Sequence, residues 1–325
     1  MSKYSKDEEQ RMKKIYIDGS EGTTGLRIFE RFQGREDIEI IRINPELRKD
    51  PAERARMINM SDITFLCLPD AASVEAVSFV ENENVIIIDA STAHRTMEGW
   101  AYGFPELSPE HREKIRTGKR VAVPGCYATG FISLVYPLIK GGLIASDCPV
   151  SSFGISGYSG AGKKVIAAYE DENRPKAYDA PREYALSQNH KHLKEMKIIT
   201  GLDREPLFSP IIADYYSGMV VSVPFHADYF TKEMTLENLH SYFENYYKGE
   251  KFIRVMPLGA EEETANMLPG NECSGWDGLR IYITGNSDRF VISSQFDNLG
   301  KGASGAAIQC MNILLGVDEA TGLNL

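Results

Sequence analysis

The chain has 325 residues, 42% hydrophobic and 25% charged, a balance that supports folded cores and argues against extended disorder. Its formal net charge of -10 excludes a surface built to grip nucleic acid, and no apolar run approaches the length needed to span a membrane. Five widely spaced cysteines without a CxxC pair point to reduced thiols in a cytoplasmic protein, not to a disulfide framework or a zinc site.

Residues 1–13 are charged and read as an extension before the first strand. From Lys14 onward the runs KIYID, IEIIRI, ITFLCLP, VIIIDAS and RVAVPG alternate with amphipathic segments, which predicts a parallel sheet with crossover helices. Directly after KIYID comes DGSEGTTG, with a helix predicted over Leu26–Phe32 and a second strand over Asp37–Ile43. Gly19, Gly22 and Gly25 follow GxxGxxG, a variant of the dinucleotide fingerprint in which a pyrophosphate approaches bare backbone at a helix N-terminus. An ordinary strand-to-helix turn would look the same. The second strand runs into NPELRKD, so its tip carries Arg42, Arg48 and Lys49 where an NAD site usually offers a carboxylate. Those cations suit a 2′-phosphate, and NADP(H) is the expected cofactor.

In PGCYATG a strand ends and an apolar helix starts, placing Cys126 against the positive end of a helix dipole, which favours the thiolate. Cys67 and Cys310 lie within apolar elements and read as small buried hydrophobes. Beyond about Pro149 the runs GMVVSVPFHADYF, KFIRVMPL, LRIYITGN and RFVISSQFDN predict an α+β domain with a mostly antiparallel sheet. Within it, SGYSGAGK is an imperfect GxSxG, and a serine hydrolase using Ser159 with His190 or His192 is a rival reading; the same glycines could instead cradle an anion. HKHLKE opens an apparent helix in which Glu195 sits one turn from His192 and could orient its imidazole, while His190 and His192 would point apart. The HxH pair lacks an evident third ligand, so no metal is expected. Finally, DNLGKGASGAA offers the Asn298 amide to a carboxamide, or simply packs tightly, and leads into a last helix that could close back on the first domain.

Taken in order, DGSEGTTG, LPDAAS, DASTAHR, YGFPEL, PGCYATG, SGYSGAG, NHKHLKE and DNLGKGASGAA resemble the N-acetyl-gamma-glutamyl-phosphate reductases of arginine biosynthesis, in their second, shorter type. The resemblance spans nearly the whole chain. It implies the fold of the semialdehyde-dehydrogenase group: a Rossmann-like domain at 14–148 and 299–325, and a catalytic and dimerisation domain at 149–298. It implies a Cys126 nucleophile forming a thioester, His192 as acid/base with Glu195 behind it, and cofactor contacts from Gly19, Gly22, Thr23, Gly25, Ser159, Gly160 and Asn298. Arg95, in STAHR, becomes a candidate for a substrate anion, with His190 beside it. Ala128 stands where many members have Pro. The expected partner is a small acyl phosphate in a homo-oligomer, dimer or tetramer; aspartyl or aminoadipyl phosphate are the related alternatives.

Overall fold

The computed structural model describes residues 11–325. The extension expected at 1–13 therefore lies largely outside the described residues. Lys13 already belongs to the first strand, because its N–H bonds to the Asp37 carbonyl and its Cα pairs with Ile38.

The first sheet contains β1 (Lys13–Asp18), β2 (Ile38–Ile41), β3 (Ile63–Leu66), β4 (Ile86–Asp89), β5 (Ala101–Tyr102) and β6 (Arg120–Ala122). All its pairings are parallel, in the order β2-β1-β3-β4-β6-β5. Helices α1 (Thr23–Arg31), α2 (Pro51–Met60), α3 (Asp70–Ser78) and α4 (Pro109–Thr117) make the crossovers. Local chemistry sets their starts: Asp50 and Ser108 accept from Glu53 N–H and His111 N–H, each with proline at the next position. The first helix begins at Thr23, three residues earlier than expected, because the chain turns directly at Gly19, whose φ of +86° suits glycine. The strand order reverses between β1 and β3, so the crevice for a ligand lies outside their carboxyl ends.

Helix α5 (Cys126–Lys140) follows β6. The second sheet is built from β7 (Ser151–Gly157), β8 (Arg182–Glu183), β9 (Leu207–Ala213), β10 (Met219–His226), β11 (Ile253–Val255), β12 (Leu279–Gly285) and β13 (Arg289–Phe296). Its order is β11-β12-β13-β10-β7-β9-β8; the β11/β12 and β7/β9 pairs are parallel and the rest antiparallel. Helices α6 (Lys163–Glu170), α7 (Leu193–Thr200) and α8 (Leu236–Tyr246) complete this layer. The chain ends with a π-helical turn at Gly300–Ser304 and α9 (Gly305–Leu315).

Packing cuts the chain differently from the boundary expected near Pro149. Helix α5 is apolar on all sides, and Phe131, Ile132, Leu134 and Val135 share a core with Val221, Val223 and Ile292 of the second sheet. The break in packing thus falls at Gly125–Cys126. Helix α9 returns to the first sheet, where Ala307, Ile308 and Met311 join Ile15, Phe65 and Val121. Among the described residues no helix is long and apolar enough to cross a membrane.

Candidate active site

Strands β1, β3, β4 and β6 all deliver their carboxyl ends to one cleft of 860 Å³, whose opposite wall is the second sheet and the segment before α7. Gly22, Thr23, Cys126, Ser159, Gly160, Arg95, His190, His192 and Asn298 all line it. The structure therefore brings together residues spread over most of the sequence. Gly19 and Arg48 instead line a neighbouring pocket of 450 Å³, beside Lys49 and Arg54.

Cys126 is the first residue of α5, with Gly125 at the N-cap. No Cβ could fit at Gly125, because His192 Nε2 and Arg95 Nη1 occupy that space. The imidazole and the guanidinium are thus packed against the backbone of the residue preceding the thiol. The dipole argument alone would make Cys126 a thiolate, but burial pushes its thiol up, only partly offset by the Tyr127 N–H and Arg95. Burial and the nearby Arg95 hold His192 well below its ordinary value, and His190 falls to about 4, chiefly through burial. The resting pair is therefore neutral thiol and neutral imidazole. Desolvation outweighs the helix dipole here because both groups are packed among protein atoms that solvate neither ion.

Glu195 does not orient the imidazole as its spacing suggested. One carboxylate oxygen accepts from Gly125 N–H at 2.9 Å and from Tyr102 hydroxyl at 2.8 Å; the other accepts from Arg95 Nη1 at 2.9 Å. His192 caps the N-terminus of α7, and its Nδ1 is buried without a partner. Residues 190–192 precede the helix, so the i,i+2 argument that separates the two histidines does not apply. Their rings meet edge to face, 4.7 Å apart. His190 Nδ1 accepts from the His192 N–H at 3.2 Å, and its ring is packed against Tyr127, Tyr184 and Phe208.

Arg95 donates Nε to Val123 O at 2.8 Å, Nη2 to Ala90 O at 3.2 Å, and Nη1 to Glu195. Three of its five N–H groups are committed, leaving two for a ligand. The loop that carries it is shaped by buried Asp89, which accepts from Ser73, Ser91 and His94; His94 in turn stacks on Trp100 at 4.1 Å. DASTAHR and YGFPEL stand out in the sequence, but the roles of Asp89, His94 and Tyr102 do not, because Asp89 reaches Ser73 and Tyr102 reaches Glu195 only across the folded chain.

The hydrolase reading loses its geometry. The Ser159 hydroxyl is buried and accepts from Asn298 Nδ2 at 3.0 Å, with no imidazole bonded to it. Asn298 Oδ1 also accepts from Gly218 N–H at 2.8 Å, so this amide ties three loops together while one N–H and one lone pair remain.

The residues fit a nicotinamide dinucleotide. Gly22 caps α1 without a side-chain bond, so the first-turn N–H groups face the cleft free for a pyrophosphate. Past β2, Arg42 lies over the Phe29 ring at 4.4 Å, and Arg48 pairs with Glu21 on the surface. Arg42 is thus withdrawn from the tip, leaving Arg48 and Lys49. Asp18, at the end of β1, is buried and paired with Arg54 at 3.0 Å. Among the described residues, no group of three His, Cys, Asp or Glu side chains could hold a metal.

Residues 7–115 match the semialdehyde dehydrogenase NAD binding domain, and residues 126–298 the semialdehyde dehydrogenase dimerisation domain. The second match begins at Cys126, where packing divides the chain. An N-acetyl-gamma-glutamyl-phosphate reductase 2 from Nostoc sp. is 42% identical over 318 residues, covering 95% of this chain and 99% of that one. The chain belongs to the N-acetyl-gamma-glutamyl-phosphate reductase family. The family's member from Brucella ovis is 44% identical over 309 residues, covering 93% and 99%. Aspartate semialdehyde dehydrogenase from Francisella tularensis shares the fold, with a TM-score of 0.71 at 14% identity, covering 93% of this chain and 100% of that one. At that identity the likeness speaks for the architecture alone, whereas the reductase relatives align almost end to end.

Proposed function

We propose that this chain reduces N-acetyl-γ-glutamyl phosphate to the corresponding semialdehyde, with release of phosphate, through a thioester on Cys126. The observation that carries the reading is the convergence of Cys126, His192 and Arg95 around Gly125, in a cleft that also receives the N-terminus of α1. The relatives' names supply the substrate class.

Neutral His192 takes the proton of the Cys126 thiol as sulfur attacks the acyl carbon; the C–S bond forms, the C–O bond to phosphate breaks, and the proton leaves with phosphate. The remaining Arg95 N–H groups and the start of α5 stabilise negative charge on the phosphate and the carbonyl oxygen. A bound nicotinamide dinucleotide supplies the hydride that lowers the thioester carbon to the aldehyde level. The C–S bond then breaks, the aldehyde departs, and the Cys126 thiolate regains a proton that His192 relays from water. Glu195 acts as a positioning residue, holding Arg95 and the Gly125 backbone. Arg48 and Lys49, with no carboxylate ending β2, favour NADP(H) over NAD(H).

The matched dimerisation domain and the exposed Phe153 and Leu207 on β7 and β9 support a homo-oligomer. The deciding experiment follows NADPH absorbance with N-acetyl-γ-glutamyl phosphate in wild type and Cys126→Ser. Turnover by the wild type and a loss of at least ~1,000-fold in the variant are expected. Normal turnover by Cys126→Ser would overturn the thioester.

A further inference from the structure

Three cations line the cleft: Arg95, Arg182 and Lys191. Arg95 is neutralised by Glu195, and Lys191 is exposed to water. Arg182 differs from both. Its guanidinium carbon lies 3.7 Å from the centre of the Tyr178 ring and 5.1 Å from that of Tyr169, and Nη2 donates to the Tyr169 hydroxyl at 2.8 Å. Its Nε is buried without a partner, and no carboxylate pairs with it among the described residues. A planar cation stacked on the Tyr178 ring, partly desolvated and without a paired carboxylate, is suited to receive an anion bidentately.

Strand register shows where that anion would lie. Arg182 pairs with Ile212, and Ile212 with Ser156, so the three side chains share one face of the second sheet, the face that lines the cleft. Tyr184, two residues on, shares that face and packs against His190 and Tyr127 beside Cys126. Arg182 therefore stands one pleat repeat along the strand from Tyr184, some ~7 Å between their backbones. In an N-acylglutamyl phosphate the carboxylate carbon lies about 5 Å from the acyl carbon when the chain is extended. The two ends of such a substrate match the two ends of this wall.

We infer that Arg182 anchors the α-carboxylate of the substrate, while Arg95 and the start of α5 receive the acyl-phosphate end. This assignment rests on the acyl-phosphate reading above. It makes Arg182 the residue that distinguishes a glutamyl chain from an acyl phosphate lacking the carboxylate.

The test measures NADPH oxidation by wild type, Arg182→Gln and Arg182→Lys with two substrates, N-acetyl-γ-glutamyl phosphate and 4-acetamidobutyryl phosphate, which differ only in that carboxylate. The wild type is expected to prefer the first by about 100-fold in kcat/KM, and Arg182→Gln to raise its KM by about 30-fold with kcat changed less than about 3-fold. Arg182→Gln should treat the two substrates alike, and Arg182→Lys, which keeps the charge, should retain part of the preference. An equal loss on both substrates in both variants would reduce Arg182 to a structural role and overturn the inference. So would an unchanged KM in Arg182→Gln, or a weakened NADP⁺ dissociation constant by fluorescence titration, which would place the guanidinium on the cofactor. Failure of the wild type with both phosphates would instead overturn the acyl-phosphate reading.

Discussion

Glu195 accepts a hydrogen bond from Arg95 Nη1 at 2.9 Å, joining two buried side chains 100 positions apart in sequence. Through its other oxygen the same carboxylate holds Gly125 and Tyr102, so it braces the backbone on which Cys126 stands. Removing one partner of a buried ion pair leaves the other uncompensated. Glu195→Ala is expected to lower the unfolding free energy by about 3–5 kcal/mol, read from urea denaturation. Glu195→Gln, which keeps the acceptor for Gly125, should cost less stability yet still lower kcat, by about 100-fold, because Arg95 loses its fixed geometry.

The Cys126 thiol, pushed up by burial, should react slowly with iodoacetamide near neutrality. Alkylation followed by mass spectrometry is expected to give a midpoint above the ordinary thiol value of about 8.5. A midpoint below that value would show that the helix dipole and Arg95 win over desolvation. Substrate or cofactor that rearranges the cleft should move it.

His190 and His192 are held neutral in the folded chain, His190 with its value lowered to about 4. An unfolded histidine titrates near ~6.5, so the unfolded chain binds more protons between these limits. Their contribution to stability is complete above about 6.5 and is lost as pH falls toward about 4. The thermal midpoint should therefore drop across that window, and less steeply in His190→Gln. A flat profile between the two limits would contradict the burial-driven shifts.

Arg48 pairs with Glu21 on the surface rather than standing free. A 2′-phosphate would compete with that carboxylate. Arg48→Gln should raise the KM for NADPH by about 10-fold and leave NADH little changed, while Glu21→Gln should lower it slightly by releasing the guanidinium. Equal effects on both cofactors would remove Arg48 from 2′-phosphate recognition.

Replacing His192 by Gln should lower kcat by about 100- to 10,000-fold, with His190→Gln closer to wild type, since the His192 ring packs closest against Gly125, the residue before the thiol. Steady-state kinetics across pH on both variants would separate the two histidines. The reverse order of effects would make His190 the proton carrier.

Local rules were enough for the elements and for the candidate residues. The period-2 apolar runs, the glycine turn after β1 and the strand-to-helix change before Cys126 depend on short stretches of chain, and the structure shows them nearly where they were expected. Cys126, His192 and Gly22 are recognisable for the same reason, because each stands in a motif only a few residues long. What only the tertiary structure decided is how distant segments share charge. Spacing suggested Glu195 behind His192, but the carboxylate binds Arg95, Tyr102 and Gly125, none of them near it in sequence. Spacing also separated His190 from His192, whereas the non-helical approach to α7 brings their rings together. The protonation states of Cys126 and the two histidines reverse the simple dipole argument for a similar reason. Burial is a property of the assembled cleft, set by two sheets closing over side chains that, read along the chain, all look free to meet water.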